Sequence, residues 1–124
     1  MVTGIEHLAI ASPDPERLAN WYVAHLNFLM NYHSGGAFFV KAPNGFMIEI
    51  IPSEGAGAPF ALQTPGFRHL AIAVNYFDGV YEFLQSKGVK FLAQPLDAGG
   101  NRVVFFEDAD GNILHLLQRA ISLP

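Results

Sequence analysis

The pentapeptide His7-Leu8-Ala9-Ile10-Ala11 returns as His69-Leu70-Ala71-Ile72-Ala73, 62 positions later (69 − 7) in a chain of 124 residues. One copy is an ordinary alternating segment. A second copy near the midpoint makes internal duplication the first hypothesis for the whole chain. The downstream sequence extends the match: Gly45 of Asn44-Gly45 precedes Glu49 by four positions, and Gly111 of Asp110-Gly111 precedes His115 by four. That offset is 66 (115 − 49), so two turn-plus-strand segments recur in order, with loops that differ by four residues. Loops are where copies of one unit are free to differ in length.

Periodicity assigns the elements of each half. Residues 4–11 alternate, with Ile5, His7, Ala9 and Ala11 on one face and Glu6, Leu8 and Ile10 on the other, the period of a strand. Ser12-Pro13-Asp14-Pro15-Glu16 supplies capping side chains and a first-turn proline, and Leu18, Trp21, Tyr22 and His25 follow at helical spacing. Short strands are expected from Asn27 to Tyr32 and from Ala37 to Lys41 around Ser34-Gly35-Gly36, and a third from Phe46 to Ile51, ended by Pro52. The second half repeats this order. It predicts a strand over 67–74, a helix carrying Phe77, Val80, Tyr81 and Leu84 and closed by Gly88, then strands over 89–93, 102–107 and 112–118. Asp97 to Asn101 and Asp108 to Gly111 read as turns.

The expected fold class is therefore α+β, with two tandem βαβββ modules, 1–52 and 66–124, joined by a linker of small residues over 53–65. Each module is too small to fold convincingly alone, so residues 1–124 are expected to form a single domain in which modules pack together or pair with a second chain.

Composition narrows the partners. A hydrophobic fraction of 51% with 13% aromatic residues suits a globular core. The net charge is −4, and the seven basic residues (Arg17, Lys41, Arg68, Lys87, Lys90, Arg102, Arg119) form no run, which argues against nucleic acid. No apolar stretch has the length of a membrane span, and Met1-Val2-Thr3-Gly4 opens no signal-like segment, so a cytoplasmic protein without membrane attachment is expected. The chain has no cysteine. Thiolate chemistry is excluded, and any metal must sit on His and carboxylate side chains.

Strand phase selects the candidate ligands. In all four repeat-defined strands the ligand-capable residue (His7, Glu49, His69 or His115) lies opposite the face that the helix is expected to cover, and the first strands surround theirs with alanines. A small, polar face opposite a bulky, apolar one resembles a cavity wall. Any one histidine on a strand is more often a core or surface residue than a ligand, but four in common phase reverse that balance. Glu49 between Ile48 and Ile50 would be costly to bury unless paired or metal-bound. A nitrogen and oxygen set of this kind suits a divalent Zn, Ni, Co, Fe or Mn better than Ca or Mg. His25 on the helix stripe and His33 beside the hairpin turn have ordinary structural explanations, and Arg102 reads as a surface residue that can also meet an anion.

With these residues in view, the chain resembles the vicinal oxygen chelate superfamily, the group of glyoxalase, bleomycin-resistance and extradiol dioxygenase proteins. The opening-strand His of each half, the segment Trp21-Tyr22-Val23-Ala24-His25-Leu26-Asn27-Phe28 and the segment Phe106-Glu107-Asp108-Ala109-Asp110-Gly111-Asn112 carry the similarity. The resemblance implies βαβββ modules in a cup-shaped, partly open barrel, a divalent metal on His7, Glu49, His69 and His115, and a homodimer. His115 stands where the family commonly has Glu, and Asn27 and Ala109 replace a usual Gly and Pro. It further implies a small-molecule substrate bound through oxygens on the metal, with Glu49 and His115 as candidate proton carriers in a glyoxalase-like lyase or isomerase. A non-catalytic binding protein of the bleomycin-resistance type and an extradiol-type dioxygenase are the alternatives.

Overall fold

The computed structural model describes residues 1–55, 57 and 61–124. They fall into two compact units, Met1–Gly57 and Ala58–Pro124. The first contains β1 (His7–Ser12), α1 (Pro15–Leu26), β2 (Leu29–Ser34), β3 (Ala37–Lys41) and β4 (Met47–Pro52). The second contains β5 (Leu70–Ala73), α2 (Phe77–Ser86), β6 (Leu96–Ala98), β7 (Asn101–Glu107) and β8 (Ile113–Gln118). The order βαβββ thus occurs twice in an α+β fold. The expected linker, 53–65, falls in part on residues 56 and 58–60, which lie outside the described residues. Among the described residues no helix is long and apolar enough to cross a membrane.

In the first unit the sheet order is β1-β4-β3-β2, with β1 parallel to β4 and the other pairs antiparallel. The parallel pair demands a crossover, and α1 provides part of it. The helix begins where the Asp14 carboxylate accepts the Arg17 backbone N–H, with Pro15 in the first turn, and it ends at Asn27 in the left-handed region (φ 59°). Leu18, Ala19, Tyr22 and Leu26 of α1 are buried, as are Val40, Ile48 and Ile50 of the sheet. Register pairs Leu8 and Val40 with Ile48, and Ile10 and Phe38 with Ile50, so these residues make the face beneath the helix. The buried stripe is rotated from the expected one: Trp21 and His25 sit at its flank, stacked at 4.6 Å, with His25 Nδ1 donating to the Trp21 carbonyl at 2.9 Å.

In the second unit the order is β5-β8-β7-β6, with β5 parallel to β8. Phe77 and Leu84 of α2 are buried, and so are Val104, Phe106, Leu114 and Leu116 of the sheet. Gly88, at φ 76°, follows the helix and donates its N–H to the Gln85 carbonyl, as a terminating glycine should. The expected strand over 89–93 is corrected to a single bridge, Phe91 to Phe106, because the outer edge of β7 is divided. Leu92 donates to the Phe105 carbonyl and Lys90 accepts from Glu107, whereas β6 takes the edge from Asn101 to Val103. The expected turn over 97–101 contracts to Gly99-Gly100, both at positive φ as a tight hairpin turn requires.

Candidate functional site

The two faces of each sheet are chemically different. In the first unit, β1 and β4 alternate so that the residues opposite the α1 face are His7, Met47 and Glu49, with Phe39 of β3 across from Glu49 and Tyr32 of β2 across from Phe39. His7 Nε2 lies 3.4 Å from Glu49 Oε1, and His7 Nδ1 lies 3.0 Å from Glu6 Oε1. Each ring nitrogen of His7 thus faces a carboxylate oxygen, Nδ1 that of Glu6 and Nε2 that of Glu49. The Phe39 ring packs edge-on against the imidazole, with centroids 5.3 Å apart at 78°.

The second unit repeats the arrangement with a different donor. His115 is the register partner of Ala71 on β5 and of Phe105 on β7. Its ring centroid is 4.5 Å from that of His69, and Phe105 meets His69 edge-on at 5.4 Å. Burial, then the positive charges of His69 and Arg119, lowers the His115 pKa to about 4. The imidazole is therefore neutral at neutral pH, the form in which a ring nitrogen can bind a metal. Its Nδ1 is buried without a hydrogen-bond partner among the described residues.

The structure thus brings His7 together with Glu49, and His69 together with His115. Among the described residues no group of three or more His, Asp or Glu side chains has the spacing of a metal site. Phe39, Phe105 and Glu6 were not singled out from the sequence. The two phenylalanines differ by 66 positions, the offset that relates Glu49 to His115, and that signal was available. His33 is exposed and stacked on Phe38. Arg102 is ion-paired with Asp78 and with Asp97, the latter at 3.2 Å, and its guanidinium lies over the Phe77 ring, so its charge is already engaged.

A cleft of about 320 Å³ opens beside His7 in the first unit, lined by Glu6, Asn31, Tyr32, Phe39 and Met47. Tyr32 and Phe39 meet edge to face at 5.9 Å, and Asn31 Nδ2 donates to Met47 Sδ at 3.4 Å.

Residues 4–116 match the family model of the Glyoxalase/Bleomycin resistance protein/Dioxygenase superfamily. No curated protein is significantly similar in sequence. Among solved structures, Oxidase ChaP-H2 is 23% identical with a TM-score of 0.79, covering 98% of each chain. The glyoxalase family protein from Enterococcus faecalis is 27% identical with a TM-score of 0.76, over 93% of this chain and 97% of that one. TnmS3, an antibiotic binding protein from Streptomyces sp. CB03234, is 20% identical with a TM-score of 0.76, over 96% of this chain and 98% of that one.

Proposed function

This chain belongs to the Glyoxalase/Bleomycin resistance protein/Dioxygenase superfamily, and from that premise we propose that it is a small metal-dependent enzyme of the glyoxalase-like lyase or isomerase type. In this reading His7, Glu49, His69 and His115 hold one divalent ion, and oxygens of a small-molecule substrate complete its coordination. The observation that carries the reading is the buried, partnerless Nδ1 of His115. A buried polar atom left unsatisfied costs about 1–3 kcal/mol, and coordination of an ion by this nitrogen would remove that cost.

The donors fit such an ion. Three imidazoles and a carboxylate suit Ni, Zn, Fe, Co or Mn, and the neutral ring of His115 has the lone pair that ligation needs. When bound, the ion supplies Lewis acidity toward substrate oxygens. The remaining work belongs to the chain: Glu6 orients the His7 ring, Phe39 and Phe105 restrict the movement of the two first-strand imidazoles, and Glu49 or His115 carries a proton if it leaves the ion.

Metal content tests the proposal. Protein purified without a histidine tag or chelator is expected to carry about one equivalent of a transition metal per site by elemental mass spectrometry. A folded His7→Ala, His69→Ala double variant is expected to carry none. A wild-type protein that contains no metal and takes none up on titration would overturn the enzyme reading. The open aromatic cleft beside His7 favours, as the second reading, a binding protein without catalysis, and that result would select it.

A further inference from the structure

The cleft beside His7 has a composition that specifies its occupant. Its volume, about 320 Å³, is at the lower end for small-molecule pockets and suits a molecule of about two fused rings. Two of its five lining side chains are aromatic and a third is a thioether, a surface that favours contact with a π-face. Tyr32 is 59% exposed on a strand whose every residue is exposed, so its ring has apolar area still to be covered. Asn31 uses one amide hydrogen on Met47, which leaves a second hydrogen and its carbonyl oxygen to meet a hydroxyl or carbonyl group.

In the metal-free protein, charge disfavours an anion here. The one ionisable carboxylate in the lining is Glu6, and Glu49 stands just beyond it, 3.4 Å from His7. Residues 1–57 contain two basic side chains, Arg17 on α1 and Lys41 at the end of β3, and neither lines the cleft. A phosphate or carboxylate placed there would face like charge with no cation in the lining.

We propose that the Asn31–Tyr32–Phe39–Met47 cleft is a binding site for a flat, uncharged aromatic compound bearing a hydroxyl or carbonyl oxygen, its ring packed on Tyr32 and Phe39. Presentation of that oxygen toward His7 rests on the metal reading of the preceding subsection; the ring site itself does not.

The test uses the full chain stripped of metal and follows backbone amides by two-dimensional NMR during titration with 2-naphthol, with the anion 2-naphthoate, and with the saturated analogue decahydro-2-naphthol. The site predicts that 2-naphthol shifts the amides of Asn31, Tyr32, Phe39 and Met47 and that both comparison compounds bind about tenfold more weakly or worse. Tyr32→Leu is expected to weaken naphthol binding about three- to tenfold, while Tyr32→Phe retains it. The exposure of Tyr32 makes both variants compatible with folding. Absence of shifts at these amides, equal binding of the naphthoate or of the saturated alcohol, or an unchanged affinity in Tyr32→Leu would overturn the proposal. Because no metal is present, a protein that binds naphthol but never takes up metal refutes only the enzyme reading, and one that takes up metal but ignores naphthol refutes only the ring site.

Discussion

In the proposed site the Glu6 carboxylate, 3.0 Å from His7 Nδ1, would hold that nitrogen and turn Nε2 toward the ion. Replacing a partner of this kind commonly lowers metal affinity by about 10–100-fold, and the exposure of Glu6 places the expected effect at the lower end of that range. Glu6→Gln keeps an acceptor oxygen but removes the charge, so we expect about a tenfold loss of metal affinity with an unchanged fold, read by competition with a chromogenic chelator. The shared face of His7 with Glu49, and of His69 with His115, was legible because strand alternation places a side chain on a face from the sequence alone. Glu6 was not, since alternation sends it to the face opposite His7, yet it precedes the start of β1 and is free to turn back to its neighbour. Phe39 and Phe105 were hidden for a different reason: an aromatic residue within an apolar strand reads as core, and only the 66-residue offset distinguishes these two.

Elements were legible where local chemistry and the repeat agreed. The β7–β8 turn is such a place. Asp108 is buried, its Oδ1 accepts the backbone N–H groups of Asp110 and Asn112 at 2.9 Å each, and its Oδ2 accepts Asn112 Nδ2 at 2.8 Å. Asp108→Ala leaves those donors without their acceptor and is expected to destabilise the protein by about 2–3 kcal/mol in urea unfolding. Asp108→Asn, which keeps one acceptor oxygen, should cost less. β6 shows where legibility stops. Three residues are too few to establish a period, Pro95 stands immediately before them, and Gly99-Gly100 extends a turn signal over residues that in fact pair. The apolar Val89 and Phe91 attracted the assignment instead. Phe91 is committed to packing, its ring 4.8 Å from that of Tyr81 and 5.8 Å from that of Phe106, and its backbone joins β7 at one point.

At the scale of the whole molecule, duplication made the two modules readable, but no periodicity states whether four donors on two modules meet within one chain or between two copies. With a homodimer expected, we predict that the set is completed by the second copy, and complementation decides the matter. His7→Ala and His69→Ala chains, each metal-free alone, would be unfolded and refolded together. If sites are shared between copies, a mixed dimer has one site with both lesions and one with neither, so equal mixing restores about a quarter of the metal bound by the wild type. If each site lies within a chain, every site retains one lesion and mixing restores nothing. A dimer of about twice 13.6 kDa by sedimentation, together with the quarter recovery, is the expected result. A monomer, or a dimer with no recovery, would place the four donors of the proposed site within a single chain or dissolve the set altogether, and the metal content of the wild type separates those two outcomes.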